Sequence, residues 1–371
     1  MKRNIRKAEM IFIAKRNLCF LAVFFVSALF FDAVSAADNE KPYYRAELIF
    51  KPSLRFPRCH SSTITALPDG SLISAWWNGS EEGGRDNVVR GSRRPAGRNQ
   101  WETPVILADT PDTTEGNPVF FAAPNGEVWL FYRAGFPWAK MMWVKSADMG
   151  KTWGQPEVFL DKPGWSFRSR VLLLANGDII IPVMTHGSEG FTPIGSSTAF
   201  IYSVDNGESW KQTRQILTEP RSNEPSVIQR SDGSLLAYMR PYDPNLDDRL
   251  LWQSESFDNG RTWSEAARTA LKNPSKAIEL LKLGNGHVVL VYNKCQTTLS
   301  QLCLALSLDE GRTWSYRRIL EDSPGRFTYP TLSQSADGLI HLSYTFRRTH
   351  IKHVEVNEAW IMEEPWQASA K

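Results

Sequence analysis

Long apolar runs are scarce in this 371-residue chain. The longest, Leu18–Phe31, covers about 14 residues, short of the roughly 20 that a helix needs to span a bilayer. Six Lys/Arg in Met1–Arg16 precede it and the small residues Val34-Ser35-Ala36 follow, which reads as a secretory signal over residues 1–36. No membrane span is expected, and the mature protein, residues 37–371, is expected outside the cytoplasm, periplasmic or extracellular.

An excess of either charge is also lacking. The signal holds six of 43 basic and two of 40 acidic residues, so the mature chain carries 43 − 6 = 37 against 40 − 2 = 38, a net −1. That balance gives no support for a nucleic-acid partner. Cysteine is rare: besides Cys19 in the signal there are Cys59, Cys295 and Cys303, too few for a disulfide scaffold. Cys295 and Cys303 could face each other across one hairpin, as a disulfide or as two thiols. The six histidines are scattered, and the His350/His353 pair has no carboxylate or thiol company, so neither metal nor cofactor is expected. Nothing in the sequence speaks to oligomeric state.

What the chain has in abundance is repetition. Tight Asp/Asn-Gly turns end at Gly70, Gly126, Gly177, Gly233, Gly286 and Gly338, spaced 51 to 56 residues apart. A second motif, Ser-x-Asp-x-Gly-x-x-Trp, recurs in phase at Ser146–Trp153, Ser203–Trp210, Ser256–Trp263 and Ser307–Trp314, with a decayed copy at Gly91–Trp101. Two rulers in phase define a repeat of six units. Within the fourth, Ser226–Gln229, Leu235–Arg240 and Leu250–Ser254 read as strands, and another follows Trp263. Six stacked four-stranded sheets closing a ring give an all-β, six-bladed β-propeller in one domain. The last unit stops after His350–Val356, so a strand near Ala46–Lys51 is expected to complete it.

Alternating strand direction puts the glycine turns on one face, and the start of each first strand and end of each second on the other. Nine residues before each turn glycine stand Ser61, Asn117, Arg168, Glu224, Ala277 and Tyr329; one earlier stand His60, Gly116, Phe167, Asn223, Lys276 and Thr328. Seven after stand Trp77, Arg133, Met184, Arg240, Asn293 and Thr345. Positions serving structure alone would repeat the same residues, whereas these differ from blade to blade and deliver charge to one axial ring.

The Ser-x-Asp-x-Gly-x-x-Trp units resemble the Asp-boxes of the sialidase superfamily, and the resemblance covers nearly the whole mature chain. It implies a structural role for the boxes: Ser and Asp bond the turn, Gly takes positive φ and Trp packs between sheets. It also implies a catalytic set. Asp86, in Gly-Gly-Arg-Asp-Asn-Val-Val, resembles the acid/base; Glu224, in Asn-Glu-Pro-Ser-Val-Ile-Gln, the residue that polarises the nucleophile; and Tyr329, in Tyr-Pro-Thr-Leu, the nucleophile. A phenol, with an ordinary pKa near 10, needs a neighbouring base, and a neutral nucleophile suits a sugar carrying a carboxylate at the reacting carbon.

Departures from the family pattern matter equally. Of the three arginines that grip the carboxylate, Arg240 fits one. His60 replaces the first, the third falls near Ser300 or Gln301, and Asn78-Gly79 stands where another substrate-binding Arg is usual. At about 1.5–3 kcal/mol per hydrogen bond to a charged group, two missing arginines cost roughly a thousand-fold in affinity for a sialic acid. Arg133, Arg168, Arg170 and Lys276, with Asn117 and His60, supply other contacts, so an anionic glycan held differently is expected. The resemblance thus implies a retaining glycoside hydrolase of a terminal acidic or modified sugar, exo-α-sialidase among the options. A uronate lyase, with Tyr329 or His60 as base, and a non-catalytic glycan-binding propeller are the alternatives.

Overall fold

The computed structural model describes residues 41–51, 56–135, 139–186, 195–242, 249–295 and 297–366; the segment read as a secretory signal lies outside them. Pro42–Lys371 forms one compact unit. All six repeat glycines sit in the predicted hairpin turns with φ between 78° and 93°, a region only glycine enters freely. Each turn joins the first and second strands of an antiparallel sheet, and six such sheets make the six-bladed propeller.

Blade one runs Arg58–Ala66, Leu72–Gly79, Val88–Arg94 and Val105–Ala108 from the axis outward. Blade two is Glu115–Ala122, Val128–Ala134, Lys140–Ser146 and Glu157–Leu160. Blade three has its inner strand broken into Trp165–Phe167 and Leu172–Leu173, both paired with Ile179–Thr185, then Ser197–Ser203 and Lys211–Gln212. Blade four is Ser222–Gln229, Leu235–Pro241, Leu250–Ser256 and Ala267–Lys272. Blade five is Glu279–Lys282, Val288–Asn293, Gln301–Ser307 and Tyr316–Asp322. Blade six joins Phe327–Gln334, Ile340–Phe346 and His350–Val356 to the N-terminal strand Tyr44–Leu48, the ring closure expected, in register from Tyr44 opposite Val356 to Leu48 opposite Lys352.

Second strands are buried along their whole length, apart from Phe346 at the end of that of blade six, because each sheet is covered on both faces by its neighbours. The seams are aromatic where two blades meet: between blades two and three, Phe131 lies 5.3 Å from Phe167 and Phe159 lies 5.1 Å from Trp210, by ring centroids. Burying each such side chain stabilises by about 1.5–3 kcal/mol.

The repeated box turns perform the bonds their composition implies. Ser146 Oγ donates to Asp148 at 2.8 Å and accepts from Gly150 N at 2.9 Å, while Asp148 accepts from Thr152 N at 2.8 Å. Ser203/Asp205, Ser256/Asp258 and Ser307/Asp309 repeat the pattern. Glycine is needed for space as well: a Cβ on Gly207, at φ 89°, would lie 2.4 Å from the Trp129 ring of the next blade. Trp263 stacks on Phe200 with centroids 4.0 Å apart, bridging two sheets.

One feature was not foreseen. A short helix, Glu358–Met362, follows the last strand, capped by the Asn357 side chain accepting from Trp360 N and anchored by buried Ile361. Its signal was the Asn-Glu pair before an apolar Trp-Ile-Met run. Cys59, Cys295 and Cys303 are all free thiols, so the hairpin pair exists as two thiols.

Candidate active site

The inner strands do not run straight. Their pairing slips between His60 and Thr63, Gly116 and Val119, Asn223 and Ser226, and Thr328 and Thr331, so two residues on the inner strand face one on its neighbour. Inside each slip one residue takes left-handed φ: Ser61 at 58°, Asn117 at 48°, Glu224 at 48° and Tyr329 at 57°. An L-residue there costs of order 1–3 kcal/mol, repeated in four blades and offset by the surrounding fold. These are the positions nine residues before the turn glycines, and the bulges bring side chains from different blades into contact. Ser61 Oγ donates to Asn117 Oδ1 at 2.9 Å, and Asn117 Nδ2 to Ser166 Oγ at 3.2 Å. Opposite them, Tyr329 Oη donates to Glu224 Oε1 at 3.0 Å.

Glu224 is buried and also ion-paired to Arg240, Nη1 to Oε2 at 3.0 Å; the same Nη1 lies 3.4 Å from Tyr329 Oη. Arg240 is aimed by Asn223, whose Oδ1 accepts from Nε at 2.7 Å. Burial, and then the Glu224 carboxylate, push the Tyr329 phenol well above its ordinary value, with Arg240 and Arg168 opposing. The phenol is therefore protonated and its proton points at Glu224, so the pair can transfer it only when the oxygen begins to bond elsewhere.

His60 packs on the Tyr329 ring with centroids 4.0 Å apart and its Nδ1 lies 2.8 Å from Thr345 Oγ1. Burial first, then Arg348, Arg168, Lys276 and Arg326, hold its imidazole far below the usual range. His60 is neutral, so it does not stand in for the missing first arginine as a cation. Lys276 is lowered to about 8, by burial and then by Arg240. Arg133 is buried and donates to Gly135 O at 3.0 Å.

Arg168 has another job. It lies beneath the Tyr329 ring, 4.8 Å from its centroid, and donates to Pro330 O at 3.0 Å and Ser62 O at 3.4 Å. It ties the bulges of blades one and six together and backs the phenol instead of facing a ligand. Arg170 sits apart from the Tyr329–Glu224 pair: its N donates to Glu279 Oε1 at 2.8 Å, and Glu279 is buried between the charges of Arg170 and Arg168.

Asp86 is the member of the expected trio that the fold leaves aside. It is exposed on the loop after the second strand of blade one, and its two oxygens accept from Ser80 N and Ser80 Oγ, both at 2.9 Å. Among the described contacts none joins it to Tyr329 or Glu224. Glu82, on the same loop and exposed like Asp86, is ion-paired to Arg348, and its charge acts on Tyr329, Arg133 and Lys276. Arg348 and Arg326 were missed by the sequence reading. The signal for Arg348 was its loop, which follows the second strand of blade six as the Glu82 loop follows that of blade one. Around the axis stand Arg133, Arg168, Arg240, Lys276, Arg326 and Arg348 against Glu82, Glu224 and Glu279. Gln301, near the third arginine position, bonds Asp322 instead.

His353 does have carboxylate company, contrary to the sequence reading. Its Nδ1 lies 3.3 Å from Glu47 Oε1, and the ligand atoms of His341, His353 and Glu355 lie within 4.8 Å of one another. Arg94 is ion-paired to Glu355 and, at 3.6 Å, to Glu47, so this cluster at the ring-closing seam already has its own cation.

A ring of six blades with a Tyr–Glu–Arg constellation at its axis defines a sialidase-like propeller. The chain belongs to the BNR repeat-like family, whose domain matches residues 70–342. It is 23% identical over 366 residues, 87% of this chain and 55% of the relative, to a sialidase of Micromonospora viridifaciens. It is 26% identical over 283 residues, 69% of this chain and 49% of the relative, to a sialidase of Bacteroides fragilis strain YCH46. The chain thus spans about half the length of these relatives. In fold it is similar to a Dyadobacter fermentans protein of unknown function, with TM-score 0.71, 17% identity and coverage of 85% of this chain and 99% of that one. It is also similar to the intramolecular trans-sialidase of Ruminococcus gnavus, solved with oseltamivir carboxylate, with TM-score 0.68, 13% identity and coverage of 84% and 97%. Among the described residues no helix is long and apolar enough to cross a membrane.

Proposed function

We infer that the protein is a secreted glycoside hydrolase that removes a terminal acidic sugar with retention of configuration. The observation that carries this reading is the buried phenol–carboxylate pair, Tyr329 Oη to Glu224 Oε1 at 3.0 Å, enclosed by cations. Tyr329 attacks the anomeric carbon while its proton passes to Glu224. The glycosidic C–O bond breaks, and the leaving oxygen takes a proton from a carboxyl group on the loop after the second strand of blade one, the loop of Asp86. In the second half, water attacks the glycosyl-tyrosine, gives its proton to that loop carboxylate, and Glu224 returns its proton to the departing phenolate. Arg240 is ion-paired to Glu224 and lies against the reacting oxygen, 3.4 Å from Tyr329 Oη. A carboxylate nucleophile would repel an acidic sugar; the neutral phenol does not. Asn117, Arg133 and Lys276 line the ring as substrate contacts.

Incubation with fluorogenic α-sialosides, uronides and neutral glycosides tests this reading: release is expected from acidic glycosides, with the anomeric configuration kept. Release from neutral sugars alone contradicts it. The neutral His60 against Tyr329 favours a second reading, β-elimination from a uronate chain with His60 as base. That reaction produces an unsaturated, ultraviolet-absorbing uronate, which hydrolysis does not.

A further inference from the structure

Arg348 occupies the turn between the last two strands of the Phe327–Val356 hairpin set, where Arg347 and Arg348 both take left-handed φ, 57° and 65°. The strain fixes its place: Arg348 O accepts from Cys59 N at 3.0 Å, next to His60, and the guanidinium lies 5.9 Å from the Trp77 ring. One side of that guanidinium is paired to the Glu82 carboxylate. The other, Nη1, is buried with no acceptor, although an unpaired buried donor of a charged group is costly. Beside it lies an imidazole that its charge helps keep neutral. A guanidinium with one arm empty, in a ring lacking two of the arginines expected to hold a carboxylate, is matched by an anionic group of a ligand.

Glu82 is matched to a different task. Asp86 spends both oxygens on Ser80 of its own loop, whereas Glu82 reaches across to Arg348 and is electrostatically coupled to Tyr329, Arg133 and Lys276. We propose that the substrate's anionic group displaces Glu82 from Arg348, and that Glu82, not Asp86, is the loop carboxyl that hands the proton to the leaving oxygen. The proposal rests on the glycosidase reading above. Its logic is an exchange of partners: while the site is empty Glu82 is ion-paired to Arg348, and when the ligand takes Arg348, Glu82 loses that cation and gains an anionic neighbour. Both changes favour uptake of the proton it must later donate. Lys276 and Arg133 remain as the cations whose charges interact with Glu82 after the leaving group has taken the proton. Substrates without an anionic group would leave Glu82 paired to Arg348, so the exchange also selects for acidic sugars.

Two arms test this. In the first, N-acetylneuraminate, glucuronate and glucose are titrated calorimetrically into wild type and Arg348→Ala. An acid bound by wild type should bind at least tenfold more weakly to the variant, and glucose should bind neither. Equal affinity in the two proteins, or an acid-blind wild type, overturns the clamp whatever the enzyme does. In the second, Glu82→Gln and Asp86→Asn are compared on an acidic glycoside with a nitrophenol leaving group and on one with an alkyl alcohol. Loss of a general acid costs about 10²–10⁴-fold where the leaving group needs a proton and little where it does not. Glu82→Gln should show that selective loss on the alkyl glycoside and exceed Asp86→Asn there by at least tenfold. The reverse order overturns the assignment, and so does a loss in Glu82→Gln that is equal for both leaving groups, since a broken contact would act on both alike. Absence of any turnover in wild type would count against the glycosidase reading, and would leave the titration to decide the clamp.

Discussion

The two ends of each blade follow opposite rules. At the outer turns, Ser146, Ser203, Ser256 and Ser307 make one bond pattern four times over, with the same glycine and the same tryptophan at the same offsets. At the axis, equivalent positions carry Ser61, Asn117, Glu224 and Tyr329, which share a backbone conformation and nothing else. Where residues repeat, the repeat itself is the purpose; where the backbone repeats and the residues differ, the fold is a mount for chemistry. The shared left-handed φ is the sharper sign, because strain kept in four blades is hard to attribute to packing alone.

If this contrast is sound, substitutions at the two ends separate activity from stability. The largest effect is expected for Tyr329→Phe, which removes one oxygen: turnover should fall on the order of 10³-fold or more with melting temperature unchanged, by kinetics and calorimetry. Retention of a tenth of wild-type activity would break the comparison at its main point. Glu224→Gln should cost about 10²–10⁴-fold in kcat, again without unfolding.

Arg168→Met sharpens the comparison, because Arg168 stands at the axis yet holds backbone carbonyls of two blades. Its loss leaves Glu279 with less compensation and should destabilise by about 3–5 kcal/mol in denaturant unfolding. A variant as stable as wild type would return Arg168 to the substrate-binding set. At the outer end, Trp210→Ala should cost about 1.5–3 kcal/mol and leave KM within twofold, since its ring meets Phe159 far from the axis.

The smallest effect is a pH dependence. Lys276 is a cation below its value of about 8 and neutral above it. Affinity for an acidic sugar should therefore be full below pH 8 and weaken as pH rises through it, and Lys276→Met should flatten that limb. His60, neutral throughout, contributes no change near its ordinary value. A limb near pH 6.5 that vanishes in His60→Gln would contradict its burial.

Much of this was legible beforehand, and the reason is geometric. The turn glycines and box residues repeat because each blade must solve the same packing problem, so the period, the six blades and the closing strand could be counted. Counting back from Gly233 and Gly338 located Glu224 and Tyr329 because equivalent positions in a ring share a height. Loops obey no such ruler. Asp86 was chosen by its resemblance and neighbouring sequence, but which carboxylate on a loop turns inward depends on hydrogen bonds such as those to Ser80, and Arg348 came from a turn outside the count. The bulges were equally invisible, since they insert one residue without changing composition. The contacts of Arg168 with Ser62 O, Pro330 O and the Tyr329 ring could not be read either, because sequence cannot tell a guanidinium that faces a ligand from one that backs a phenol.

The central claim is that Tyr329 forms a bond to the sugar. Wild type and Tyr329→Phe should be mixed with a deoxyfluoro glycosyl fluoride of whichever acidic sugar is released in the glycoside panel, then digested and mass-mapped. The account predicts one added glycosyl unit on the peptide carrying Tyr329 and none in the variant. Turnover by a wild type that never labels at Tyr329, or labelling that persists elsewhere in Tyr329→Phe, would contradict it.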